Sequence, residues 1–371
     1  MNTENGQLEL LIKGAQVQNN ILYGPGFALS ADFDTSEEGV HYSFLLPPME
    51  KTSWSFVFGF AGVGCHYALT FLGGERVMRL DRVQDGVCVY LHHLALNLQA
   101  GMSIEIVWST SSIRVIVDEW CVLNLYEEAL TSGHWGIKTP HSVVVPKVER
   151  QALTAGWKNF RTVVIGDGFS NARWSNRHFI SWPERLWGTK SDYLNACVAA
   201  GNSRRCEQIY TRLRACIDWG RVERLVLCFG SDDLIEAENC DSFHSRLEAY
   251  FDSMDGRPEV YVLGLPPLAP HSSAILERNR SIRDLVERSG GTYIDIHGAL
   301  LLHPRSMTRG NYPNDIGQRV IAEAVSAATQ DKLPDSQPPA THQPGWHLHG
   351  ALARILYALD HRIRVALGVL D

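Results

Sequence analysis

Val163, Val164 and Ile165 read as a β-strand that delivers Gly166-Asp167-Gly168-Phe169-Ser170-Asn171 to its C-terminal end. Open α/β sheets place ligands and chemistry at that end of their strands. A second strand, Arg224 to Phe229, runs into Gly230-Ser231-Asp232-Asp233. The side chains on offer are carboxylates, two hydroxyls and an amide. A partly desolvated carboxylate gains proton affinity and can act as a general base, whereas a serine attacks an acyl carbon only when a neighbouring base activates it. Ser170 with Asn171 stands where such residues satisfy free backbone N–H groups, so capping is the simpler reading. His303, before Pro304, is the histidine that a displaced nucleophile at Ser170 would use. Three aspartates raise the question of a metal. Asp232 and Asp233 are sequence neighbours and no histidine has matching spacing, so neither metal nor cofactor is expected.

Further segments follow in a fixed order: Trp182 to Leu186, Asn195 to Ser203, Leu265-Pro266-Pro267, Thr292 to His297, and Arg309-Gly310-Asn311-Tyr312-Pro313-Asn314-Asp315-Ile316-Gly317. With these blocks the chain from Phe160 to Thr329 resembles the SGNH (GDSL-type) hydrolase superfamily. In that family a serine attacks, a histidine carries protons, and two backbone N–H groups with an asparagine amide stabilise the oxyanion. Here Gly168 takes the serine's place, Asp232 the asparagine's, Tyr312 the histidine's and Arg309 that of the last block's aspartate. Departures at three separate blocks read as a natural change rather than one engineered substitution. The resemblance implies a pocket holding Asp167, Asp232, Asp233 and Tyr312, with Arg309 nearby. It assigns Asp232, Tyr312 and Asp167 as catalytic candidates, although in the family the aspartates matching Asp167 and Asp233 usually hold the loops. Substrate-binding candidates are Gly168, Ser170, Asn171, Gly201 (or Ala200 as the backbone donor), Asn202, Gly230, Asp233 and Arg309.

Composition narrows the classes. The chain has 371 residues, 34 basic and 41 acidic, with a formal net charge of −7. No basic run tracks a phosphate backbone, so nucleic acid is not an expected partner. The eight cysteines are irregularly spaced without a Cys-x-x-Cys pair, which fits buried free thiols. The sequence reads without a leader or an apolar run of membrane-spanning length, so a cytoplasmic protein off the membrane is expected. Neither a Gly-x-Gly-x-x-Gly nor a Walker-type loop is present.

The elements that must position these residues fall into regions. From 1 to 150, apolar alternation broken by turns predicts an antiparallel β-sandwich, clearest at Ser53–Gly59, His66–Phe71, Ser103–Trp108 and Ile113–Val117. Its ending, Gly133 to Thr139, resembles the concanavalin-type (laminin-G-like) jelly roll, whose members often bind sugars. From 158 to 330, strands alternating with helices (Cys206–Trp219, Phe243–Met254, Ala274–Arg288) predict a flavodoxin-like α/β/α domain with a parallel sheet. Residues 331–346 form a proline-rich linker. In 347–371, Leu352, Ile355, Leu356, Leu359, Ile363 and Leu367 recur at helical spacing, and this helix docks on its own chain or makes a homo-oligomer.

Three functional readings follow. One is an enzyme using Asp232 and Tyr312 for acid/base chemistry on a small polar or glycosylated metabolite. Another is a non-catalytic protein binding a carbohydrate or a partner, and the third is an esterase or acyltransferase using Ser170.

Overall fold

In the computed structural model, strand Ser53–Gly62 sends Trp54, Phe56 and Phe58 to one side, and these pair in register with Phe71, Leu69 and Tyr67 of strand Cys65–Leu72. Strand Val40–Leu45 likewise buries Val40, Tyr42 and Phe44. The two apolar faces meet: the Phe44 and Phe56 rings lie 5.3 Å apart, and Phe58 and Trp108 5.7 Å. Each such ring, once buried, contributes about 1.5–3 kcal/mol of transfer free energy. The result is the expected β-sandwich. Its six-stranded sheet runs Glu4–Asn5, Glu149–Ala152, Val40–Leu45, Ser103–Ser109, Ser112–Val117, Trp120–Tyr126. Its seven-stranded sheet runs Val87–Ala95, Val77–Gln84, Cys65–Leu72, Ser53–Gly62, Ser132–Thr139, Gly26–Thr35, Leu8–Ile12. The structure describes residues 4–339 apart from 6–7, 13–15, 19, 24, 37–38, 49–52, 74–75, 110, 154–158, 171–179, 191, 198–201, 232, 234–239, 254–257, 269–271, 304, 308–311 and 337.

The parallel sheet has five strands: Thr162–Gly166, Tyr193–Asn195, Arg224–Cys228, Glu259–Leu263 and Thr292–Ile294. Numbered along the chain they lie in the order 2-1-3-4-5, the flavodoxin-like arrangement whose switch point falls between strands one and three. Burial on both faces explains the unbroken apolar runs. Val163 and Ile165 join a core with helices Ser203–Cys216, Cys240–Asp252 and Ser272–Arg288. Val164 joins another with Trp182–Trp187, Ile296–Leu301 and Asp315–Thr329.

Sandwich and parallel sheet meet at a buried seam within one compact unit, residues 1–341. Asn124 Nδ2 donates to the Tyr193 carbonyl at 3.1 Å, so the sandwich covers the sheet's short edge strand, whose free backbone groups would otherwise face water. Cys121 of the sandwich packs into the second helical core.

Some expectations change in detail. His297, at the end of the block from Thr292, is only 8% exposed, because the helix it helps begin packs against the sheet. Among the described cysteines, all free, Cys121, Cys197, Cys206 and Cys228 are buried, whereas Cys88 and Cys216 are exposed. The C-terminal helix expected at 347–371 lies outside the described residues. No helix among the described residues is long and apolar enough to cross a membrane.

Candidate functional site

The first strand ends at Gly166 because no larger residue fits: a Cβ there would lie 2.5 Å from the Cys228 carbonyl oxygen. Asp167 follows, 1% exposed. Its N–H donates to Cys228 O at 2.9 Å, and its two carboxylate oxygens accept the N–H groups of Phe169 (3.2 Å) and Ser231 (3.1 Å). Asp167 thus fastens the first block to the third. Gly168 is buried within the turn, which the Ser170 N–H closes by donating to Asp167 O at 3.1 Å.

Ser170 is fully buried. Its hydroxyl donates to the Cys228 thiol, while the backbone N–H groups that a capping Ser170 would satisfy, those of the residues after Asn171, lie outside the described residues. Burial, followed by the nearby Asp167, pushes the Cys228 thiol far above its ordinary range. A neutral thiol cannot activate a serine. His303, the expected partner of a displaced nucleophile, is exposed.

The third block turns at Gly230, whose φ of +112° favours glycine and where a Cβ would come within 2.7 Å of the Phe243 ring. Asp233, fully buried, accepts the Ser203 N–H at 2.9 Å and its hydroxyl at 2.5 Å, with Arg246 3.9 Å away. A carboxylate suits this place because it faces the N-terminus of helix Ser203–Cys216. Asn202 caps the same helix by accepting the Arg205 N–H at 3.0 Å, so the side chain marked for substrate spends its oxygen on the fold. Asp232, Asn171, Gly201 and Arg309 lie outside the described residues.

The last block brings Tyr312 to the first. Its ring packs on Phe169 with centroids 5.0 Å apart and planes at 33°, and it remains half-buried. Behind it, Asn314 caps helix Asp315–Thr329 by accepting the Ile316 and Gly317 N–H groups. A Cβ on Gly317 would lie 2.3 Å from the Ser306 carbonyl oxygen, so this block, too, depends on its glycine.

Three residues of this region were not singled out in the sequence. Gln318, fully buried, accepts the Trp182 N–H at 2.9 Å and donates to the Phe169 carbonyl at 3.0 Å. Arg185 pairs with Asp315. Arg278, 5% exposed, reaches the Gly230 carbonyl at 3.5 Å and covers the Phe243 ring. The one available signal was the offset of Asp315 and Gln318 from the last block's glycine. Beneath the turn is a cavity of about 10 Å³ bounded by Phe169, Ser170, Cys228, Ser231, Leu265 and Ile321. It has room for about one water, far below the several hundred Å³ of a small-molecule pocket. Among the described residues no group of His, Cys, Asp and Glu side chains could hold a metal ion.

No family model and no curated protein matches the chain. Solved structures similar to it include a member of the lipolytic G-D-S-L family from Veillonella parvula (10% identity, TM-score 0.41, covering 46% of this chain and 98% of that one). An acetylxylan esterase from Geobacillus stearothermophilus is 11% identical (TM-score 0.39, covering 47% and 96%). A carbohydrate-binding module from Bacillus subtilis is 10% identical (TM-score 0.28, covering 41% and 91%). These distant likenesses concern the fold alone.

Proposed function

We propose that this chain does not perform serine acyl transfer and that the outer side of its first-block turn binds a small polar or glycosylated molecule, with Asp232 and Tyr312 as a proton-transfer pair. The observation that carries the reading is the packing of Tyr312 on Phe169 at 5.0 Å, which stations a phenol over the turn where Gly168 replaces the nucleophile. A tyrosine of ordinary pKa, about 10, is a proton donor at neutral pH, and a carboxylate is the complementary base. An ionised Asp232 would oppose an oxyanion, and losing even one oxyanion donor costs about 3–4 kcal/mol. Reactions without a covalent serine intermediate are therefore favoured: isomerisation, elimination, cyclisation or direct hydrolysis.

The test begins with a thermal-shift screen of saccharides and small polar acids against the full chain. Any ligand found is then followed by NMR for conversion in wild type, Asp232→Asn and Tyr312→Phe. Conversion should fall at least about 100-fold in each variant, the scale of general acid–base catalysis, with binding retained. Unchanged conversion in both would refute the pair. Fluorophosphonate labelling should leave Ser170 unmodified, and stoichiometric labelling there would restore the serine reading.

A second reading, a non-catalytic binding protein, draws on the engagement of Asp167 and Asp233 in holding loops. Binding without product after prolonged incubation would select it.

A further inference from the structure

We propose that the β-sandwich sets the geometry of the candidate site through helix Trp182–Trp187, with Gln318 as the positioning residue that passes the constraint to the first-block turn. This deepens the functional reading and rests on it for where the ligand binds; the coupling itself is a property of the folded chain.

Helix Trp182–Trp187 has six residues, and Ser181 at its N-cap makes no side-chain hydrogen bond to its backbone. A helix that short has no independent stability, so its neighbours fix its position. On the sandwich side, Trp120 Nε1–H donates to the Glu184 carbonyl at 3.1 Å, and the Cys121 N–H donates to the Gly188 carbonyl at 2.8 Å. The fit is tight, since a Cβ on Gly188 would lie 2.4 Å from Trp120 Nε1. From the sheet, Asn195 Nδ2 donates to Glu184 Oε1 at 2.8 Å, on the same edge strand that Asn124 holds. On the far side, Gln318 takes the Trp182 N–H with its oxygen and gives its own amide proton to Phe169 O.

Trp120, Glu184, Gln318 and Phe169 are each at most 3% exposed. Water cannot readily replace a lost partner at such depth, so breaking one bond leaves a buried polar group unpaired. Gln318 contacts both the start of the helix and the turn under Tyr312. A displacement of strand Trp120–Tyr126 is therefore felt at Phe169 through one side-chain amide.

Amide hydrogen exchange on the full chain tests this, using Trp120→Phe, which keeps an aromatic ring and removes the indole N–H, Gln318→Met, and the double variant. Trp120→Phe should speed exchange in residues 182–188 and in 166–170 by roughly tenfold, the scale of one lost buried hydrogen bond. In the Gln318→Met background, Trp120→Phe should add nothing further at 166–170. Wild-type rates at 166–170 in Trp120→Phe, or independent effects that multiply in the double variant, would overturn the proposal. Should Gln318→Met fail to fold, Gln318→Asn keeps the amide but shortens it by one methylene, so that it cannot span Trp182 and Phe169 together. It should then speed exchange at both 166–170 and 182–188, and wild-type rates at 166–170 would refute the assignment. No ligand is needed, so a coupled turn that binds nothing would sink the functional reading and leave this one standing.

Discussion

Asp233 and Glu184 are both buried in the α/β part of the molecule, at 0% and 2% exposure, and their surroundings differ in kind. Asp233 is met by a backbone N–H, a hydroxyl, the N-terminus of a helix and Arg246, the donors that compensate a carboxylate. Glu184 is met by the Ser181 hydroxyl and the Asn195 amide. Burial, only partly offset by the Asn195 hydrogen bond, raises its carboxyl from 4.5 to about 8. At neutral pH, Glu184 therefore keeps its proton. The loop edge holds its shape with charge; the seam, sealed by the sandwich, does so with neutral hydrogen bonds.

The largest expected effect is at the charged site. Asp233→Ala leaves the buried Ser203 N–H and hydroxyl without their acceptor and takes the carboxylate from beside Arg246, and each buried polar group left unpaired costs about 1–3 kcal/mol. Urea unfolding reads this directly. A loss under about 1 kcal/mol would mean that the block does not depend on its carboxylate, and the contrast with Glu184 would collapse.

Glu184 gives the opposite signature, visible in pH dependence. Between the unfolded value of 4.5 and the folded value of about 8, the unfolded chain has released this proton and the folded chain has not. Stability from this group is complete below 4.5 and declines by about 1.4 kcal/mol per pH unit until about 8. Glu184→Gln should remove that slope, matching wild type near pH 5 and exceeding it at pH 8. Parallel pH profiles in the two proteins would show that the seam carboxyl is ionised after all.

How much of this could be read in the sequence depends on the range of the forces. Gly166, Gly230 and Gly317 are required by contacts that leave no room for a Cβ, so the blocks announce themselves as local patterns at strand and helix ends. The uninterrupted apolar runs at Val163–Ile165 and Leu225–Cys228 followed equally from burial on both faces. Gln318 was illegible because its partners lie 136 and 149 residues away along the chain, and the seal that Trp120 places over the Glu184 backbone comes from 64 residues away. The aim of Ser170 escaped for the same reason, since a capping residue and a serine turned onto Cys228, 58 residues away, look alike locally. The edge strand Tyr193–Asn195 is three residues long, too short for a period to show.

The smallest expected effect sharpens the comparison from the solvent side. Arg161 and Glu223 form a two-armed pair at 2.9 and 2.6 Å, as good in geometry as anything around Asp233, with side chains 59% and 51% exposed. The Arg161 hydrogen bond holds the Glu223 carboxyl below its ordinary range, so what the pair contributes is present above about 4.5 and lost as pH falls through the lower folded value. Water and salt already solvate both groups well. The backbone holds this corner without them, because the Glu223 and Arg224 N–H groups both donate to the Arg161 carbonyl. Glu223→Gln should therefore cost less than about 1 kcal/mol at physiological salt and nothing measurable near 1 M salt. A larger, salt-insensitive loss would make geometry rather than burial the property that separates Asp233 from an ordinary ion pair, and the distinction between loop edge and seam would have to be redrawn on that basis.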